Sequence, residues 1–145
     1  MLEQRCNGYA SILKAHGGSS VFLSLPSGDS SSPEKVQQDI AGALAAHPGV
    51  NGIFTLGAPE AVSAVAAVQQ VGKAGKVTIG TTDLSNADLQ AVKTGALQFV
   101  LDQQPFLQGY YGLQAAYQYL KYRVAPIGQV TIGPFLIDKA DVGTG

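Results

Sequence analysis

Four side chains placed just past predicted strands carry the chemical interest of this chain: Asp83, Asp102, Gln103 and Gln104. Carboxylates and amides make planar, paired hydrogen bonds, and such pairs suit the vicinal hydroxyls of a sugar. The same Asp83 and Asp102 also fit ordinary caps of helices or turns, because Asp bonds readily to nearby backbone. Other chemistries find less support. There is no Gly-x-x-x-x-Gly-Lys phosphate loop, no Gly-x-Gly-x-x-Gly and no Gly-x-Ser-x-Gly elbow. Ser11-Ile12-Leu13-Lys14 and Lys93-Thr94-Gly95 match fragments of penicillin-binding enzymes, but the second falls at a predicted helix end and the Ser-Asp-Asn element is absent. A response regulator needs an acidic pair that the chain lacks, and Ser30-Ser31-Ser32 reads as a capped loop before it reads as a flavin phosphate grip. His16 and His47 both sit at predicted helix ends, where a histidine favours the dipole, and neither has neighbours at metal-ligand spacing.

The elements that must position these groups alternate along the chain. Helical spacing runs over residues 5–15 and stops at Gly17-Gly18. A strand-length apolar run covers 21–25, followed by a polar loop in which Ser27 and Asp29 occupy the strand's end. Ser32 and Pro33 open a second helix with Val36, Ile40, Ala43 and Leu44 on one face, ended by His47-Pro48-Gly49. A strand at 52–56 leads into an alanine- and valine-rich helix from Pro59, apolar nearly all round and so expected to be well buried. Residues 76–80 form a third strand. Ser85 and Asp88 resemble a capping box for a helix closed by Gly95, and 96–101 form a fourth strand. Pro105 opens a helix with Phe106, Tyr110, Leu113, Tyr117 and Leu120 on one face; with Tyr111, Tyr119 and Tyr122 this is an aromatic-rich element expected to pack in the core or an interface. Short extended pieces at 130–132 and 135–137 flank Gly133-Pro134.

Alternation of this kind predicts an α/β fold, a three-layer, doubly wound, Rossmann-like parallel sheet with helices on both faces. In such sheets ligands bind beyond the carboxyl ends of the strands, where the four polar groups lie. At 145 residues the chain is long enough for one α/β domain, 1–145, and not two. It is 13% charged with a net charge of −1, which gives no electrostatic footprint for nucleic acid or an anionic membrane. No apolar run approaches the roughly 20 residues that span a bilayer. The first residues lack the layout of a signal peptide, so the chain is expected to be cytosolic, or a mature or shortened piece of an exported protein. A single cysteine, Cys6, excludes an internal disulfide and a Cys-rich metal site.

Several segments together resemble ribose-type periplasmic sugar-binding proteins of ABC importers (type I periplasmic binding proteins), over nearly the whole chain and in the right order. Arg5-Cys6-Asn7-Gly8-Tyr9 is similar to an Arg-x-x-Gly-Phe/Tyr segment of the C-terminal lobe. His47-Pro48-Gly49-Val50-Asn51-Gly52-Ile53-Phe54 and Gly80-Thr81-Thr82-Asp83-Leu84-Ser85 resemble two further family segments. Gln103-Gln104-Pro105-Phe106-Leu107-Gln108-Gly109-Tyr110 is the most specific match, and Thr131-Ile132-Gly133-Pro134 resembles a segment near the family's C-terminus.

The resemblance implies a two-lobed, hinged, non-enzymatic binding protein, needing no cofactor or metal, of which this chain is the C-terminal lobe without its N-terminal partner. Residues 126–145 would form the crossover between lobes. Arg5, Asp83 and Gln103 would bind the hydroxyls of a small sugar or polyol, and the intact protein would serve an ABC permease from the periplasm or as a cell-surface lipoprotein. The match departs from the family at Gly57-Ala58, where Asn-Asp is usual and the Asn binds sugar, so one paired donor–acceptor is missing. Without the other lobe, the exposed apolar face is expected to drive homodimerisation. The alternative within the same fold is the effector domain of a LacI-type regulator, which would require a DNA-binding helix-turn-helix that is not seen here.

Overall fold

The structure, a computed structural model, describes residues 2–26, 28 and 31–143. Met1, Thr144 and Gly145, the ends of the expected 1–145 domain, lie outside the described residues, as do Ser27, Asp29 and Ser30 of the loop before the second helix.

Local signals set most helix boundaries. Helix α1 (Leu2–Ala15) ends where Gly17 takes a left-handed φ of +79°, letting Gly18 N bond back to the Leu13 carbonyl. Helix α2 (Pro33–Ala46) starts on Ser32, whose hydroxyl accepts from Lys35 N. It ends at His47. Helix α3 (Ala58–Gln70) follows strand β1 (Gly52–Thr55), and helix α4 (Asn86–Thr94) follows strand β2 (Thr78–Thr82). The predicted cap of α4 forms: Ser85 Oγ accepts from Asp88 N and donates to the Asp88 carboxylate at 2.5 Å. Strand β3 (Phe99–Asp102), helix α5 (Pro105–Tyr122), strand β4 (Phe135–Asp138) and the short helix α6 (Lys139–Val142) complete the order.

The sheet has four strands in the order β1-β2-β3-β4. Strands β1, β2 and β3 run parallel, with Thr55 opposite Thr81 and Thr81 opposite Val100, while β4 is antiparallel to β3. This is the expected α/β lobe, a mostly parallel sheet flanked by helices, with the last strand reversed. On one face, Ile79 and Val100 join Val36, Ile40 and Leu44 of α2, Ala61, Ala64, Ala67 and Val68 of α3, and Val92 of α4 in the single buried core. Small residues on α3 let its backbone lie close to the sheet. The register puts Phe54, Gly80 and Phe99 on the other face. There the Phe99 ring covers Gly80 so closely that a Cβ at 80 would collide with it, and Phe54 stacks under Tyr9 of α1 at 4.7 Å.

Three expectations are corrected. Residues 21–25 do not form a strand; Val21, Phe22 and Leu23 are exposed and only Leu25 reaches the core. An apolar run becomes a strand only when a neighbour takes its backbone groups, and β1, the first strand in the sheet, pairs with β2 alone. Residues 130–132 have no regular structure, and only the piece at 135–138 joins the sheet. Helix α5 forms as predicted, but its apolar stripe is not core: Phe106 is 80% exposed, Leu113 75% and Leu120 71%, and Tyr110 and Tyr117 are about half exposed. An amphipathic helix buries its stripe only against an element that covers it, and among the described residues none does.

Candidate functional site

The carboxyl ends of β1, β2 and β3 lie side by side, and the polar groups of interest converge there. Asp83, just past β2, adopts a left-handed φ of 69°; Gln104, just past β3, adopts 54°. Such conformations cost a non-glycine residue roughly 1–2 kcal/mol, and Asp tolerates them better than most. They turn the chain sharply at the ends of two adjacent strands, leaving Asp83 and Gln103 half-buried and facing one another.

Gln103 is the pivot of the arrangement. Its Nε2 donates to Asp83 Oδ1, and its Oε1 accepts from Arg5 Nη2, which reaches over from α1 across 98 residues of sequence. Because an amide has distinct donor and acceptor ends, the two neighbours fix its orientation. Its backbone carbonyl is also held, by Gln108 Nε2 from the first turns of α5, at 2.5 Å. Cation, amide and anion therefore form one relay, Arg5–Gln103–Asp83. Arg5 has further N–H donors and Asp83 further lone pairs beyond those the relay uses, and adjacent donor and acceptor edges of this kind match two neighbouring hydroxyls. Beside Asp83 lies an open depression of about 560 Å³, bordered also by Asp102, Gln104 and the exposed side chains of Leu84 and Phe106.

The structure separates the two readings of the carboxylates. Asp102 Oδ1 accepts from Gln104 N at 2.9 Å, so Asp102 holds the turn into α5. Asp83 caps nothing: the helix after it is capped by Ser85, and the Asp83 carboxylate is bonded to a side chain. The histidines stay where a helix dipole explains them, His47 as the C-cap of α2 and His16 just past α1. Ser11 Oγ is bonded to the Gly8 carbonyl within α1, and Lys93-Thr94-Gly95 closes α4. Among the described residues, no group of three His, Cys, Asp or Glu could hold a metal ion, and no helix is long and apolar enough to cross a membrane.

Sequence reasoning missed two features of this end of the sheet. Thr55 Oγ1 donates to Thr81 Oγ1 at 2.7 Å, and Thr81 Oγ1 lies 3.1 Å from the Gly57 carbonyl, tying the end of β1 to β2. The second is Glu60, whose carboxylate folds back over Gly57; the sequence shows it only as a polar residue in the first turn of a helix. Next to the site, Asp88 is wholly buried with Oδ1 unpartnered; burial pushes its carboxyl above the usual range, opposed by the hydrogen bonds with Ser85.

The structure is an α/β lobe with its polar groups gathered at the carboxyl ends of the strands. Residues 2–123 match the periplasmic binding protein domain, and the chain belongs to that family, whose members bind solutes and are not enzymes. It is 32% identical over 124 residues, 82% of its own length, to the xylose/arabinose-binding protein XylF of Sulfolobus acidocaldarius, of which it covers 30%. Among solved structures, a carbohydrate transporter from Acidothermus cellulolyticus in complex with myo-inositol is 29% identical, with a TM-score of 0.79 over 98% of this chain and 48% of that one. An ABC transporter solute-binding protein from Agrobacterium vitis, bound with α-D-tagatopyranose, is 25% identical with a TM-score of 0.83 over 98% of this chain and 47% of that one. The chain thus spans about half the length of these solved relatives, and less of XylF.

Proposed function

We propose that this chain is the C-terminal ligand-binding lobe of a solute-binding protein of an ABC sugar importer, holding a small carbohydrate or polyol against Arg5, Asp83 and Gln103. The observation that carries this reading is the Arg5–Gln103–Asp83 relay at the carboxyl ends of β2 and β3. Relatives crystallised with myo-inositol and tagatopyranose support the ligand class. In this reading the opposite wall of the cleft lies on a second, N-terminal lobe, residues 126–145 form the crossover toward it, and the assembled protein delivers its ligand to a permease from the periplasm or the cell surface.

Closure of two lobes traps a ligand by burying it between them and presents the closed form to the transporter. One lobe offers half of the hydrogen bonds and leaves the ligand wet, so its affinity is far below that of a closed pair. A thermal-shift screen of the native chain with pentoses, hexoses and inositols checks the reading. At a ligand concentration about 100 times Kd, stabilisation of about 2.7 kcal/mol is expected. Asp83→Ala removes that shift for every sugar; a sugar-induced shift that survives Asp83→Ala takes Asp83 out of the site. The uncovered stripe of α5 further leads the isolated chain to self-associate as a homodimer, and sedimentation as a monomer at high protein concentration contradicts this.

A further inference from the structure

We propose that α5 is the docking surface for the α5 of a second copy of this chain, the two helices pairing antiparallel so that Lys121 of each copy meets Asp102 of the other; this rests on the self-association proposed above and deepens it. The stripe itself points to the kind of occupant. Phe106, Tyr110, Leu113, Tyr117 and Leu120 recur at intervals of four, three, four and three residues. That is the narrow seam by which one helix meets another, and not the wider apolar face of a helix lying on a sheet. The stripe is half exposed or more throughout, and the Phe106 and Tyr110 rings stack along it at 6.5 Å. Leu107, Gly109, Gln114 and Ala116 beside it are uncharged, so a second helix meets no like charge along most of its length. Residues 129–132 border the same depression as Gln108, Tyr111 and Gly112, which face away from the stripe, and so leave the seam clear.

The charges at the two ends of α5 fix the orientation. Between Pro105 and Arg123 the only charged residues are Lys121 and Arg123, both cations at the C-terminal end, while Asp102 stands just before the N-terminal end. Among the described residues none of these three has an ion-pair partner. Lys121 Nζ donates to Tyr117 Oη at 2.7 Å, which holds the ammonium beside the seam, and Asp102 uses only Oδ1 to hold its turn. A parallel pair would bring the cations of both copies together. An antiparallel pair brings each cationic end to an acidic one and opposes the two helix dipoles. A reversed stripe interlocks with its copy only where steps of equal length face each other, and two registers satisfy this. One sets Tyr110 opposite Leu113 and Phe106 opposite Tyr117, which brings Lys121 level with Asp102. The other sets Tyr110 opposite Leu120 and leaves Lys121 level with Gly109. Only the first joins the charges. It also brings Leu120 level with Gln103, beside the depression that Asp102 and Phe106 border, so the second copy covers part of that edge.

The test combines sedimentation equilibrium of the native chain and its variants with spin-label distances from Gln118→Cys in a Cys6→Ser background. The native chain dimerises. In the dimer the two labels lie about 20 Å apart along the helix axes, because residue 118 of one copy stands level with 105 of the other. The second register would separate them by about 9 Å on that axis, and a parallel pair would set them level. Leu113→Asp raises the dimer dissociation constant more than tenfold and leaves the circular dichroism of the chain unchanged. Lys121→Gln and Asp102→Asn, the latter keeping the oxygen that holds the turn, each raise it about threefold. The double variant raises it no further than either alone, because the two groups meet each other. If the chain stays monomeric at high concentration, this inference and the self-association beneath it fall together. If it dimerises with the labels level or in the second register, or if Leu113→Asp dimerises like the native chain, or if the two charge variants add independently, the pairing proposed here falls and self-association alone stands.

Discussion

Helices α3 and α5 begin alike and end up in opposite surroundings. Each has a proline in its first turn, follows a parallel strand and carries apolar residues through most of its length. In α3, Ala61, Ala64 and Ala67 are wholly buried between α2 and the sheet. In α5 no residue is buried, and Phe106, Leu113 and Leu120 are more than two thirds exposed. Periodicity records that a helix has a face to hide; it does not record what hides it. The difference locates the uncovered part of the molecule. Helices α2, α3 and α4 enclose the core on one face of the sheet, whereas the apolar stripe of α5 has no covering element among the described residues.

That contrast can be broken by substitution. The largest effect is expected on the closed face: Ile79→Ala, at a site 2% exposed, should cost about 2–5 kcal/mol in denaturant unfolding. A cost under about 1 kcal/mol would mean that the core is not closed there. Asp88, buried beneath the α4 cap, should show itself through pH. Its carboxyl is raised by burial, so its folded state favours the proton. The stability it confers is present below the ordinary carboxylate range and is lost as pH rises through the raised value. Asp88→Asn removes that dependence. The stability of the native chain relative to this variant should therefore fall with rising pH across that window, by no more than about 1.4 kcal/mol per pH unit; a difference that grows with pH would place the carboxylate in a different environment. The smallest effect belongs to the uncovered stripe of α5: in solution dilute enough to keep the chain monomeric, Leu113→Ala should change stability by less than about 0.5 kcal/mol, and a core-sized loss there would show that α5 is covered within the chain.

What the sequence made legible was what short-range chemistry decides. Ser32, Ser85 and Gly95 mark helix ends because a cap needs only its own turn of backbone. Asp83 and Gln103 were legible as candidates because strand ends can be read from apolar runs, and Arg5 only through resemblance, since nothing local says that a residue of α1 reaches β3. Residues 21–25 misled because strand pairing is not local. Asp102 and Asp83 are the same residue type at equivalent positions, yet one holds a turn and the other a neighbouring amide; only the third dimension separates them. The Glu60 carboxylate over Gly57 was hidden because its place depends on the side chain that Gly57 lacks.

The central claim, that the ends of β2 and β3 form one wall of a carbohydrate cleft, is tested most directly by mapping backbone amide shifts while myo-inositol is titrated into the native chain. The amides of Asp83 and Gln103 are expected to move together along one saturating curve, and both to stay still in Asp83→Ala. Saturating shifts confined to the aromatic stripe of α5, with Asp83 and Gln103 unmoved, would contradict it.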